Sequence, residues 1–455
     1  MSDSLSADLD LTTLKHDLQA NDIDVLRVLF ADVLGIPRSK DMLVSQMERT
    51  MAHGPAFCQG VWFTTTRGGV LDGRGSLSDG LPDFITRVDP NTMREAPWEP
   101  GVAYAVADAY DSNGEATALA PRSVLKGVMG KFADLGLLPI TGPELEFYLC
   151  DQDADGNYKR VINKTGRVYM TGTLVDPDGV FLEMLRSLDE FAIGIFAGNH
   201  EFSPSQYEIN MWHGDALDAA DRTFLFKSAV KEMAAQVGLL ATFMGKPWND
   251  EGGSGYHLHL SLNDGQGKNV MAEGAELTDT ALHMIGGLIE HSAALSALTN
   301  PTVNAFKRLA PDGLAPYRAN WGLDNRSTMV RIPPERGAGA RLELRIGDGA
   351  ANPYVISAAV LAAAYDGIAR AIKPPAMSEG WSHEETHTAL LPDNFTAALD
   401  ALEADTALKD ILGAAFVETF IALKRDEVER YTAESSDPDT RDTTQWELDE
   451  YLLDY

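Results

Sequence analysis

The sequence predicts an α+β protein: a small β-rich N-terminal domain, then a larger domain in which a curved antiparallel sheet backed by helices lines a charged cleft. Three observations lead there. Several short apolar stretches carry acids, histidines or arginines at every second position. Two long segments, Thr280 to Leu298 and Ala351 to Ile372, are Ala-rich and apolar enough to pack behind a sheet. The chain before Asp111-Ser-Asn-Gly114 reads mostly as strands and Gly-rich loops.

Taken in order, Leu11 to Leu18 predicts a short amphipathic helix and Asp24 to Phe30 a strand leading into the turn Gly35-Ile-Pro37. Arg38-Ser-Lys40 and Met42-Leu-Val44 continue extended. Met51 to Asp79, rich in Gly, Thr and aromatics without helical period, predicts loops or a flap. Pro82 to Pro90 and Val102 to Asp108 predict strands. Pro121 to Leu135 predicts a helix, with Pro at its start and Gly136 at its stop.

That helix leads into Thr141-Gly-Pro-Glu-Leu-Glu-Phe-Tyr-Leu149. In a strand, Glu144 and Glu146 share one face while Leu145, Phe147 and Leu149 share the other. Acids are seldom fully buried unless paired or metal-bound, so such a strand should border a polar cleft. Alone, it would read more simply as a half-exposed strand with solvated acids. The pattern recurs, however. Tyr256 to Leu262 sets His257, His259 and Ser261 on one face, and Ala340 to Ile346 does the same with Arg341, Glu343 and Arg345. Met329 to Ile332 places Arg331 among apolar neighbours, and His200 to Asn210 holds Glu201 and Glu208. Val180 to Phe191 and Arg222 to Val237 predict helices, the second burying Phe226, Val230, Met233 and Val237. From Asn394 the chain predicts helices with an acidic face.

With 455 residues, 44% hydrophobic and 23% charged, the composition is that of a globular protein with room for two domains. A formal charge of -31 argues against nucleic acid or an anionic membrane as partner. Cys58 and Cys150 are too few for a disulfide framework, and Cys58 reads as a packed thiol. No apolar run is long enough to span a bilayer, and Met1-Ser-Asp-Ser-Leu-Ser-Ala-Asp8 lacks signal-peptide regions, so a cytoplasmic location is expected.

Glu144, Glu146, Glu201, Glu208 and Glu343 cannot all stay ionised in one cleft without cations, because like charges raise one another's pKa. Oxygen-rich ligation with an imidazole suits Mg²⁺ or Mn²⁺. Arg308, Arg326, Arg331, Arg341 and Arg345 add planar donor forks for phosphate or carboxylate. Together they describe phosphoryl transfer, with no Walker or kinase motif to hold the nucleotide.

Six ordered motifs then bring a family into view. Gly142 to Phe147, His200-Glu201 to Glu208, Lys246-Pro247 with Gly253 to His259, Asn300-Pro301 to Leu309, Asn325 to Pro333, and Arg341-Leu-Glu-Leu-Arg345 to Pro353 resemble the glutamine synthetase family. The resemblance implies a β-grasp-like N-terminal domain over residues 1–113 and a catalytic domain over 114–455. It implies that Glu146, Glu201 and Glu208 hold one metal ion, and Glu144, His257 and Glu343 a second. It places His259, Ser261, Arg331 and Arg341 at ATP, Gly253, Arg308 and Arg345 at glutamate, and Arg326 at the transferring phosphoryl group. The implied reaction activates glutamate as γ-glutamyl phosphate, which an amine then attacks. A homo-oligomer of stacked rings with sites between subunits is implied as well.

The sequence departs from ammonia-using members at two positions. They carry an Asp in the N-terminal domain where this chain reads Phe57-Cys-Gln-Gly-Val-Trp-Phe63, and a flap Glu where this chain has Leu314. A pocket without those acids should bind ammonium poorly. An organic amine brings apolar surface that Leu314, Trp62 and Phe63 are expected to meet, with Asp312 as candidate base. The competing readings are an ordinary glutamine synthetase and a non-catalytic relative.

Overall fold

Period-two patterning builds two sheets in this chain. The structure, a computed structural model, describes residues 11–72, 77–311 and 313–455. The segment Met1 to Asp8 and the candidate base Asp312 therefore lie outside the described residues.

The first sheet is built from β1 (Val25–Ala31), β2 (Pro37–Leu43), β3 (Ala56–Cys58), β4 (Asp83–Val88), β5 (Arg94–Glu95) and β6 (Val102–Tyr110). Its order is β2-β1-β6-β4-β3, with β1 parallel to β6 and β5 also on β6. One set of its side chains, Leu26, Val28, Ala103 and Ala105, forms a core with Leu18 of α1 (Leu11–Ala20) and Met47 of α2 (Met47–Thr50). Leu29, Phe30 and Val106 join the main core instead. The stretch expected to form loops or a flap contains β3 and a 3-10 turn over Gln59–Phe63, because Phe57 and Trp62 pack with Phe30 and Phe84.

The second sheet surrounds one long strand, β7 (Leu137–Gln152). Its order is β16-β17-β18-β13-β7-β10-β9, with β8, β11 and β12 also on β7. The ranges are β8 (Tyr158–Arg160), β9 (Ile195–His200), β10 (Gln206–Met211), β11 (Gly214–Asp215), β12 (Leu240–Thr242) and β13 (Tyr256–Asp264). A small separate hairpin, β14 (Ala272–Glu273) and β15 (Glu276–Leu277), precedes β16 (Trp321–Leu323), β17 (Val330–Ile332) and β18 (Leu342–Leu344). Pairing in this sheet is antiparallel except between β16 and β17.

Helices α3 (Pro121–Asp134), α4 (Val180–Glu190), α5 (Ala216–Gln236), α6 (Asp279–Glu290), α7 (Ser292–Thr299) and α8 (Pro353–Ala369) follow. Buried side chains of α3 and α5 to α8 share the main core with the aliphatic face of the sheet. In α8 nearly every residue is buried, and the close approach of α6 rests on Gly287 and Gly367, where a Cβ would sit 2.1 Å from a facing carbonyl oxygen.

Two expectations need correction. Thr280 to Leu298 is two helices, split at His291, whose ring is held between Asp366 and Asp405. α5 starts at Ala216, capped by Asp215, and Val237 lies past its end and is exposed. The C-terminal part forms α9 (Phe395–Ala404), α10 (Thr406–Leu412), α11 (Ala414–Glu434) and α12 (Gln445–Tyr451). None of the described helices is long and apolar enough to cross a membrane.

Candidate active site

Strand register brings the polar face together. β7 pairs Glu146 with Glu208 of β10 on one side and Glu144 with His257 of β13 on the other. β13 in turn pairs His259 with Glu343 of β18, and β17 pairs Arg331 with that same Glu343. Along β7 and β13 these polar residues are half-buried while their neighbours Leu145, Phe147, Leu258 and Leu260 are fully buried. The alternation read from sequence is thus the physical device that lines the cleft.

Hydrogen bonds fix the histidines. His259 Nδ1 accepts from Arg341 Nε at 3.2 Å, so its proton sits on Nε2, which donates to Glu144 Oε1 at 3.0 Å. His257 Nδ1 lies 3.7 Å from the other oxygen of Glu144. Burial would raise Glu144, but the hydrogen bonds to His257 and His259 outweigh it and hold its carboxyl well below the usual range. Glu343, 1% exposed, takes Arg331 Nη1 at 2.6 Å and a second ion pair from Arg345. Burial opposes its charge, yet Arg345, His257 and His259 bring it down to about 2.

The other side of β7 is short of cations. Glu208 is pushed up to about 9, by burial first and then by Glu144, Glu146 and Glu201. Glu201 rises to about 7 through burial and the charge of Glu146. Among the described residues neutral groups alone serve them: Asn210 Nδ2 donates to Glu208 at 2.9 Å and Asn199 Nδ2 to Glu201 at 3.0 Å. Glu146 accepts from the Gly255 N–H at 2.8 Å and Gln206 Nε2 at 3.3 Å. A carboxylate group left uncompensated in this way is the donor set a hard divalent cation takes. Ligand atoms lie close enough to share an ion in two groups, Glu144, His259 and Glu343, and Glu144, Glu208 and His257. These cut across the two sets implied by the family resemblance, with Glu144 common to both.

Over β7, between β10 and β13, a cavity of about 270 Å³ is lined by Glu144, Asn210, His259, Ser261 and Arg341. At its wall the rings of Phe196 and Trp212 lie 4.4 Å apart, each about half exposed at 53% and 55%. Neither aromatic was singled out from sequence. Their alternation with polar residues at the ends of β9 and β10 was the available signal, but only pairing of those strands makes them neighbours.

Arg308 is buried, with Nη2 donating to the carbonyls of Ile346 and Gly347 and Nε lying 3.4 Å from Asp348. Among the described residues no acceptor meets its Nη1. Gly253 packs directly on this side chain, for a Cβ there would lie 2.5 Å from Arg308 Cδ. Arg326 is exposed, and its carbonyl accepts from Arg345 Nε at 3.0 Å, which ties its loop to β18. Leu314 is 64% exposed. Trp62 and Phe63, expected at an amine, are instead buried, Trp62 in the aromatic cluster of the first sheet, and of that run Cys58 alone is exposed. Cys58 is exposed, and its Sγ caps the 3-10 turn by accepting from the Gly60 N–H.

A charged cleft on a curved sheet, crowded with carboxylates and flanked by arginines, defines an enzyme of phosphoryl or acyl-phosphate chemistry. Comparison with known proteins sharpens this. Residues 118–451 match the family described as glutamine synthetase, catalytic domain. A glutamine synthetase of Pyrococcus horikoshii is 35% identical over 446 residues, covering 96% of this chain and 97% of that protein. One of Halobacterium salinarum is 35% identical over 450 residues, covering 96% and 95%. Among solved structures, apo GmaS without ligand superposes with a TM-score of 0.84 at 32% identity, covering 96% of this chain and 98% of that one. A GmaS/ADP complex gives 0.84 at 33% identity with the same coverage. The chain belongs to the glutamine synthetase family and is an ATP-dependent ligase of that family. Members use ATP and divalent metal ions, and their substrates are glutamate with ammonia or an amine.

Proposed function

We propose that the protein joins the γ-carboxyl of glutamate to an organic amine, by way of γ-glutamyl phosphate. The observation that carries the choice of amine is Leu314: a large apolar side chain, 64% exposed, follows the Lys307-Arg308-Leu309 segment where ammonia-using members carry a Glu. The likeness to GmaS, a gamma-glutamylmethylamide synthetase, supports the same reading.

In this reading Arg308, through an Nη1 that meets no acceptor among the described residues, and Gly253 take glutamate, with Arg345 completing that pocket. His259, Ser261, Arg341 and Arg331 hold ATP, its base against Phe196 and Trp212. The carboxylates Glu144, Glu146, Glu201, Glu208 and Glu343 with His257 hold two or more Mg²⁺ or Mn²⁺ ions, which supply charge neutralisation at the phosphates. A γ-carboxylate oxygen of glutamate attacks the γ-phosphorus and ADP leaves, while Arg326 meets the charge on the phosphoryl oxygens. The neutral amine then attacks the acyl carbon, phosphate departs, and the nitrogen loses a proton to form the amide. Asp312 is the proposed acceptor of that proton. A homo-oligomer of stacked rings, with sites between subunits, completes the proposal, as do the two domains 1–113 and 114–455.

Each CH₂ buried at Leu314 contributes about 0.8 kcal/mol, so an isopropyl group would favour its amine over ammonium by roughly 50-fold. The test is phosphate release by the purified protein with ATP, glutamate and Mg²⁺, comparing ammonium with methylamine, isopropylamine, ethanolamine, putrescine and an aniline. Turnover with one amine at concentrations where ammonium is inert is expected. Equal or better turnover with ammonium would sink the proposal and favour the second reading, ordinary glutamine synthesis, which the names of the archaeal relatives support.

A further inference from the structure

Gly253 and Arg308 reach the proposed glutamate pocket from two separate loops, and the structure ties both loops to one carboxylate far along the chain. Glu447, on α12, is fully buried. Its Oε2 accepts from Lys307 Nζ at 2.5 Å and from the Thr444 N–H at 2.7 Å. Its Oε1 accepts from Asn304 Nδ2 at 3.0 Å. Thr444 and Glu447 also form the capping box of α12, so the acceptor is itself held rigidly.

From Glu447 two short routes lead to the pocket. Lys307 directly precedes Arg308, and its ammonium also donates to the carbonyl of Asp442. A buried ammonium released from its carboxylate would have to find water, dragging the Arg308 backbone with it. By the second route, the Asn304 amide binds both faces of Lys246, accepting from its N–H at 2.7 Å and donating to its carbonyl at 3.0 Å. The neighbouring Gly245 carbonyl accepts the Ser254 N–H at 2.7 Å, which fixes the residue next to Gly253. Gly245, Gly253 and Arg308 are then so closely packed that no Cβ fits between them.

We propose that Glu447 is a positioning residue for the glutamate pocket, setting the spacing of Arg308 and Gly253 through Lys307 and Asn304. The inference rests on the reading of that pocket as the glutamate site. Glu447 touches none of the groups assigned to the nucleotide, so its loss should separate the two substrates. A merely structural carboxylate would instead lower stability and move both substrates together.

The test uses the full-length protein and the variants E447Q, K307Q, the double variant and T443V, with glutamate and ATP varied separately in the phosphate-release assay. ADP binding with Mg²⁺ is measured by calorimetry. E447Q is expected to raise KM for glutamate ~10-fold or more, the scale of a displacement of about 1 Å at a binding group, while KM for ATP and the ADP affinity stay within about twofold. K307Q should give a similar shift, and the double variant no more than the larger single effect, because both act through one contact. T443V removes a hydroxyl that donates to the Lys246 carbonyl at 2.6 Å and accepts from Asn304 Nδ2 at 3.3 Å, so it loosens the second route and serves if E447Q does not fold, with an expected glutamate effect of ~3-fold. Unchanged KM for glutamate, or a parallel rise for ATP, overturns the proposal. A wild-type protein that shows no glutamate-dependent phosphate release refutes the parent reading instead, and this inference with it.

Discussion

Gly253→Ala is the smallest change that probes the proposed glutamate site, and its size follows from the packing. The new Cβ would sit 2.5 Å from Cγ and Cδ of Arg308 and 2.6 Å from the Gly245 carbonyl oxygen. Ordinary contacts begin near 3.4 Å, so a shift of roughly 1 Å is required. The backbone at Gly253 has no positive φ, so conformational strain does not enter. Arg308 would give way first, but its Nη2 is held by the Ile346 and Gly347 carbonyls, and the carbonyl side of the clash is backbone. Loss of one hydrogen bond to a charged group costs about 1.5–3 kcal/mol, which corresponds to a fall of roughly 10- to 150-fold in kcat/KM for glutamate. The assay is phosphate release at saturating ATP and amine, with KM for ATP as internal control and a thermal melt to show the fold intact. A folded variant whose kcat/KM for glutamate stays within about threefold of wild type would refute the assignment of this pair to glutamate.

Further outcomes follow from other parts of the molecule. Leu314→Glu restores an acid to the flap, and the expected result is a rise in kcat/KM for ammonium with a fall for organic amines, read in the same competition assay. Arg122 bridges Asp89, Asp108 and buried Asp221, so Arg122→Met should cost about 3–5 kcal/mol of stability by leaving buried Asp221 without the cation that compensates it, seen in denaturant titration at fixed protein concentration. His291, 4% exposed, has Nδ1 2.6 Å from Asp405 and Nε2 2.9 Å from Asp366, a geometry that requires both nitrogens protonated. Burial opposes that charge, but the bonds to Asp405 and Asp366 outweigh it and raise the pKa above 6.5. Its stabilisation is therefore complete below about pH 6.5 and is lost as pH rises through the higher folded value. Melts from pH 5.5 to 9 should show His291→Asn destabilised most at the acid end, and a constant difference across that range would contradict the ion-pair account.

Much of the site was legible in sequence because strand alternation is a local property. Glu144 with Glu146, and His257 with His259, share a face wherever their strands sit, and six motifs in order were enough to bring the family into view. The helix Pro121–Asp134 was legible for the same reason, since proline and glycine mark its ends. Tertiary structure alone decided which faces meet. Glu208 opposes Glu146, and His257 opposes Glu144, because β10 and β13 flank β7 in one particular register, which no single strand encodes. Packing buried Phe63, and buried Trp62 beside Phe30 and Phe84, away from the role their composition suggested, and split a long apolar segment at His291 so that its ring lies between two distant acids. Packing also brought Glu447 to Lys307 across 140 residues of chain. Local patterning thus set the chemistry each strand offers, while long-range pairing and close packing set the distances on which that chemistry depends.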